Sequence, residues 1–222
     1  MRALRTAWLL ALVLLEGGCG LPSSYYLNPP TGPSALDPAD DFQISSSNAN
    51  SEPEFRGFEL YYKFYAAEGD VQNSLGGPSN DVTTLTNAHF LTVCSGADAN
   101  IDVRTPPLIP VDVVDRGLAF TVTISVPVNS AASASYTTPN TAKNVQINRH
   151  VRALTGSKPF TFNSTLAGNY LLSDADMQGV MGSISGGVIY LAMYAVSYGL
   201  QDLSTPIYSY PVYLGYLRLA SF

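Results

Sequence analysis

Charge is scarce in this chain. Only 13 % of its 222 residues are Asp, Glu, Lys or Arg, against about 25 % in ordinary domains, so hydroxyl, amide and glycine surface must meet most of the water. The eleven basic residues are scattered and the formal net charge is −6. Arg149 and Arg152, in NVQINRHVRAL, form the densest basic pair beyond the N-terminus. A surface that neutralises phosphates needs clustered Lys and Arg, so nucleic acid is not an expected partner. Histidine is limited to His89 and His150, and cysteine to Cys19 and Cys94. That excludes a zinc site built from clustered His and Cys and any framework of several disulfides. Beyond the N-terminus no apolar run reaches the ~18 residues of a membrane-spanning helix. The apolar stretch 187–196 has the length of a strand.

What is present begins with a processing signal. Arg2 and Arg5 give a positive start, Ala7 to Leu15 form nine consecutive uncharged and mostly large apolar residues, and Glu16-Gly17-Gly18 lead to Cys19. The apolar run is about half the ~20 residues that span a bilayer and matches the core of a secretory signal. Small residues directly before a cysteine resemble the lipobox of bacterial lipoproteins, in which the cysteine becomes lipid-modified and N-terminal after cleavage. The motif departs at Glu16, where lipoboxes usually carry Leu. The resemblance implies a signal peptide over 1–18, lipid attachment at Cys19, and a membrane partner reached through that lipid. Cys94, in the apolar run HFLTVCS, is then left without an intramolecular partner and reads as a buried, inert thiol.

The stretch from Gly20 to about Glu54 is rich in Pro, Ser, Asn and Asp. Residues 19–41 read as the lipidated cysteine plus a flexible or polyproline-like stalk, and 42–222 as one domain. In that domain a period of two dominates. Phe58, Leu60, Tyr62 and Phe64 share a face, with Glu59, Tyr61, Lys63 and Tyr65 opposite. From Leu118 to Val128, Leu118, Phe120, Val122, Ile124, Val126 and Val128 alternate with mostly polar residues. Such alternation predicts half-buried strands, because a helix would scatter the apolar groups. Phe42 to Ile44, Val145 to Val151 and Lys158 to Phe162 are shorter candidates. Val188 to Tyr198 and Ile207 to Leu219 are apolar on both sides, which predicts central or covered strands. At most one short helix is expected, over Ser173 to Met181, with Ser173 as cap and Asp174 and Asp176 in its first turn. The fold class is all-β: an antiparallel two-sheet sandwich with long insertions.

Two segments resemble strands of fibronectin type III and immunoglobulin-like sandwiches. Gly57 to Lys63 (GFELYYK) is similar to the third strand of a fibronectin type III domain, and Ile189 to Gly199 (IYLAMYAVSYG) to the sixth, with Ser204 to Leu219 as the last. The resemblance implies a tyrosine corner at Tyr190 or Tyr194. It departs in spacing: roughly 120 residues separate the two segments, against the ~100 of a whole domain of this kind. The leader, polar stalk and Tyr-rich end are also similar to uncharacterised spirochaete lipoproteins, a likeness that brings no activity with it.

Motifs that carry chemistry are mostly incomplete in this sequence. No second element of a triad accompanies His89 or His150, and both read as surface or strand residues. Gly182 to Gly186 (GSISG) has Ile184 where a nucleophile elbow needs Ser. Asp174 with Asp176, Asp37 with Asp40 and Asp41, and Asp112 with Asp115 are candidate carboxylate groups, yet none has the spacing of a calcium hand; capping and solvated turns explain them. Gly76-Gly77 lacks the Lys-Ser of a phosphate loop. Asn163-Ser164-Thr165 fits a glycosylation acceptor only formally. No catalytic residue, cofactor or metal is expected. Fourteen tyrosines remain, among them Tyr61, Tyr65, Tyr208, Tyr210, Tyr213 and Tyr216 on predicted sheets, where they suit either a binding surface or half-buried strands. The expected function is that of an exported, lipid-anchored cell-envelope protein, non-enzymatic, which binds a protein or glycan or plays a structural role. The alternative is an exported carbohydrate-active hydrolase with a carboxylate pair on a β scaffold.

Overall fold

The computed structural model describes residues 26–32, 41–46, 50–74, 81–96, 104–127, 130–151, 162, 174–177, 180 and 187–219. In chain order the strands are β1 Asp41–Ser46, β2 Phe55–Tyr65, β3 Leu91–Thr92, β4 Cys94–Ser95, β5 Ile109–Pro110, β6 Phe120–Ser125, β7 Ser133–Thr137, β8 Ala142–Asn148, β9 Ile189–Gln201, β10 Thr205–Tyr208 and β11 Val212–Leu219. Two short helices, α1 Glu68–Ser74 and α2 Val82–Asn87, lie between β2 and β3. Cys19, Asn163-Ser164-Thr165 and GSISG fall outside the described residues. Among the described residues no helix is long and apolar enough to cross a membrane.

All described pairings are antiparallel and make two sheets. The first runs β1-β6-β7-β8-β4. Its alternation is the one the sequence shows: Phe120, Val122 and Ile124 are buried while Thr121, Thr123 and Ser125 are not. The register sets Phe42 opposite Ile124 and Ile44 opposite Val122. A slip of one residue would turn this whole row to water, so the register is firmly specified. The second sheet is built on the long pair β2 and β9, joined from Phe55 to Tyr65. Strands β10 and β11 follow one another along the far edge of β9, and β5 and β3 along the far edge of β2.

The two sheets pack face to face. Phe58, Leu60, Tyr62 and Phe64 of β2 and Ile189, Leu191, Met193 and Ala195 of β9 join Phe42, Ile44, Val122 and Ile124 in one core. The reverse face of the second sheet is covered as well, with Tyr61, Tyr65, Ala192, Tyr194, Val196 and Tyr216 packed against Val71 of α1, Leu85 of α2 and Phe90. This is why β9 and β11 read as apolar on both sides. Strand β9 thus lies between β2 on one side and β10 and β11 on the other, and in the opposite sheet only β1 precedes β2, while β6, β7 and β8 all come from between β2 and β9.

Three local features differ from the reading of the sequence. Helix lies at α1 and α2, whereas within the expected helix Ser173 to Met181 the described stretch Asp174 to Met177 makes a turn. Each helix buries only one side chain, Val71 or Leu85, so neither expresses a helical period. Asp81 caps α2 by accepting from Thr84 N at 2.7 Å. Tyr26 to Gly32, inside the expected stalk, lies against the sandwich: Leu27 is 1 % exposed, and Thr31 exchanges backbone bonds with Ser45 at 3.1 and 2.8 Å. Finally, neither Tyr190 nor Tyr194 makes a hydroxyl-to-backbone bond among the described residues. Tyr136 of β7 does, to Pro110 O at 2.9 Å, and burial pushes its phenol up to about 12.

Phe58 sits at the crossing of the sheets, fully buried, with ring centroids 5.4 Å from Phe55 and 6.5 Å from Phe120. Phe58→Ala is expected to lower stability by about 3–5 kcal/mol through lost transfer energy and a cavity, read as a lower urea midpoint with an unchanged slope.

Candidate functional site

The largest fully buried side chain among the described residues is Arg149, directly after β8, and a polar knot surrounds it. The Arg149 side chain is fully buried, and a buried cation must be paired and hydrogen-bonded. Its Nε and Nη2 fork onto Asp176 at 2.9 and 2.5 Å, and Nη2 also reaches Asp174 at 2.9 Å. This is the bidentate geometry that makes guanidinium–carboxylate pairs strong. The guanidinium lies 5.5 Å from the Phe64 ring centre. Tyr62 donates its hydroxyl to Asp176 at 2.7 Å and accepts from His150 N at 2.7 Å. Burial, then the Asp176 charge, raises the Tyr62 phenol well above its ordinary value, which keeps it a donor. Asp174 and Asp176 are thus clamps on Arg149, not helix caps.

Next to the knot, His150 Nδ1 lies 3.1 Å from Thr92 Oγ1 and 3.7 Å from Cys94 Sγ. The pairing of thiol and imidazole is real, but Cys94 is fully buried, as the apolar run around it predicts. A nucleophile must reach its substrate, and this thiol does not reach the surface. Burial, reinforced by the Arg104 charge, holds the His150 imidazole below its ordinary value.

A cleft of about 710 Å³ opens on the other side of Asp176. Phe64, Tyr65 and Phe90 wall it, and Lys63, Asp70, His89 and Asp176 supply charge and hydrogen bonding. Local sequence explains the wall. Helix α2 ends in a Schellman turn, in which Phe90 N bonds Leu85 O and His89 N bonds Thr86 O, both at 3.0 Å. That turn puts His89 in the left-handed region, φ 63°, leaves it exposed, and sends Phe90 inward against Leu85. Lys63, on the outward row of β2, donates to Ala88 O at 2.7 Å and stands 5.4 and 5.7 Å from the Tyr65 and Phe90 ring centres. Burial lowers its ammonium below the usual lysine range. The cleft therefore offers aromatic walls and a desolvated cation.

A second, smaller groove of about 330 Å³ lies between Tyr26, the start of α2 and the break between β10 and β11. Tyr26 and Tyr210 stand 5.9 Å apart at 58°, and Tyr208 packs on Tyr198 at 5.5 Å.

Few of the residues singled out by sequence meet. Asp112 pairs with Lys143 at 3.1 Å, and Asp115 accepts from Thr138 and Asn140 at 2.6 and 3.2 Å, so this pair holds a turn. Of the Asp37, Asp40 and Asp41 group only Asp41 is described, at the start of β1. No group of three or more His, Cys, Asp or Glu is placed to hold a metal among the described residues. Of the tyrosines, Tyr61, Tyr65 and Tyr216 are buried and Tyr213 is half-buried, whereas Tyr208 and Tyr210 are exposed. Sequence reasoning overlooked Arg149 as a structural centre and Tyr26 as a groove residue. A lone Arg between apolar strand positions, Ile147 and Val151, was the available signal for the first. No known protein family matches this chain, and neither a curated protein nor a solved structure does.

Two outcomes test the knot. Arg149→Met is expected to cost about 3–5 kcal/mol, because it leaves two buried carboxylates without their partner. Adding Asp174→Asn and Asp176→Asn should recover part of that loss in the same denaturation assay. For His150, the unfolded chain takes a proton first, near its ordinary value of about 6.5. Its contribution to stability is full above that pH and is lost as pH falls toward the lowered folded value. His150→Asn should flatten the decline in urea midpoint between about pH 7.5 and about pH 5.

Proposed function

We propose that this chain is an exported, lipid-anchored protein of the bacterial cell envelope whose sandwich binds a protein or glycan partner without catalysing a reaction. The leader and Gly-Gly-Cys19 support the address, and the resemblance of β2, β9 and β11 to fibronectin type III and immunoglobulin-like strands supports a recognition module. The observation that carries the binding half is the cleft beside Lys63. Its size lies within the ~300–1,000 Å³ of small-ligand sites, and aromatic walls with few polar groups are their usual lining.

One observation favours the alternative of a carbohydrate-active hydrolase: Asp70 and Asp176 line the same cleft. Against it stands the bonding of Asp176, whose two oxygens already accept from Arg149 and Tyr62. An acid or nucleophile of a glycosidase must instead be available to the sugar. Turnover of chromogenic glycosides by the wild type, abolished in Asp70→Asn, would favour the hydrolase.

The anchor is tested by growth on a clickable fatty-acid analogue. Wild type should take up label and Cys19→Ala none; an unlabelled wild type overturns the lipoprotein reading. Binding at the cleft is tested in intact cells with a photocrosslinking residue at position 89. A discrete adduct is expected, and its absence counts against a partner there.

A further inference from the structure

We infer that the groove between Tyr26, Tyr208, Tyr210 and Asp81 is a sugar subsite that takes an uncharged glycan. This deepens the binding reading above by naming a ligand class, but it rests on a different surface from the cleft beside Lys63. The first observation is one of exposure. Among the described residues six large apolar side chains are exposed, and three of them, Tyr26 at 52 %, Tyr208 at 39 % and Tyr210 at 53 %, line this one groove. Single exposed aromatics need no explanation, whereas a cluster marks a contact surface.

The rings are held on backbone that does not need a ligand to set it. Tyr26 is followed by buried Leu27 and by Asn28, whose carbonyl accepts from Ser197 Oγ at 2.7 Å and Asn50 Nδ2 at 3.1 Å. Tyr210 lies between buried Ser209 and buried Pro211. Ser209 in turn accepts from Ser197 N at 2.9 Å through its hydroxyl and donates its own N–H to Ser197 O at 3.0 Å. One serine of β9 therefore ties down both arms of the tyrosine pair. Such prior ordering lowers the entropy lost on binding.

The chemistry of the rim selects the ligand. A pyranose ring offers a C–H face that stacks on an aromatic ring and an edge of hydroxyls that donate and accept. The tilted pair Tyr26 and Tyr210 provides the faces. Asp81 provides an acceptor: its Oδ1 is engaged by Thr84 N and Oγ1 at 2.7 and 2.9 Å, and Oδ2 remains for a donor. Thr83 adds an exposed hydroxyl. Among the described residues the only charge lining the groove is this carboxylate, which disfavours uronic acids, sialic acids and phosphates. A proline-rich peptide also lies on tyrosine-lined grooves, but it presents carbonyl acceptors and few donors, the wrong match for a carboxylate rim. A volume of about 330 Å³ is at the small end for ligand sites and suits a short run of sugar rings.

The test uses the full-length protein on a printed panel of neutral hexose and N-acetylhexosamine oligosaccharides, their sialylated and uronic-acid counterparts, and a proline-rich peptide. Binding is expected to neutral members. Tyr210→Ala and Tyr26→Ala should each weaken it about tenfold or more, and Tyr210→Phe should preserve it. Because these rings are exposed, the variants should retain the wild-type circular dichroism and urea midpoint. Failure of every neutral sugar, capture of the peptide alone, or undiminished binding by both alanine variants overturns the inference. If sugars fail while position 89 still crosslinks and Cys19 still labels, only the ligand class is lost and the binding reading stands.

Discussion

The ladder between β2 and β9 is the member on which the other parts lean. It runs through ten paired positions, and both of its faces are covered, one by the first sheet and the other by α1, α2 and Phe90. A strand pair buried on both faces has no solvent side on which a polar row can rest, so its outward row must be aromatic or must carry its own partners. That requirement explains the tyrosines at 61, 65, 190, 194 and 198. The buried charges near that layer carry partners of their own, whereas the Tyr65 and Tyr213 hydroxyls are buried without a hydrogen-bond partner among the described residues. Where the chain must bulge, between Phe55 and Gly57, glycine is required: Gly57 has φ 148°, and a Cβ there would lie 2.1 Å from Ile109 O.

Two buried charges show how partners are supplied. Glu59 is fully buried on the outward row. It accepts from Leu108 N at 2.8 Å and pairs with Arg104, which in turn donates to Val93 O at 3.1 Å. Its charge adds to burial in raising the phenols of Tyr61, Tyr198 and Tyr208. Arg149 does the reverse at the other end, a buried cation between two carboxylates and a tyrosine. Neither pair is a strong source of net stability, because desolvation offsets much of the attraction. Each instead fastens a distant segment, 104–110 or 174–177, to the central pair, since leaving the charge unmatched would be costly.

The two concave surfaces are by-products of this covering layer. The short helices and the Schellman turn at His89 close over the outward face at one level and leave the cleft beside Lys63. Residues 26–32 and the β10–β11 break approach the start of α2 and leave the tyrosine groove. The rings of the cleft sit on packed strand rows or beside them, whereas Tyr26 and Tyr210 are carried by backbone flanked by buried Leu27, Ser209 and Pro211, so in each case the fold sets where the rings stand.

Much of the architecture was legible in the order of residues, because apolar alternation is a local property that decides which side of a strand faces the core. The rows of β2 and β6, the two-sided character of β9, and the burial of Cys94 all follow from neighbours two positions apart. The two-residue strands β3, β4 and β5 were not legible, nor were the two helices, since each is too short to display a period. The clasp of Arg149 on Asp174 and Asp176 and the meeting of Tyr26, Asp81 and Tyr210 join positions far apart in the chain. No local pattern encodes such meetings; only closure of the sheets brings these groups within hydrogen-bonding or stacking distance. Sequence alone determined that this chain would form layered strands, because alternation is local, and tertiary structure alone decided which polar and aromatic groups would share a site.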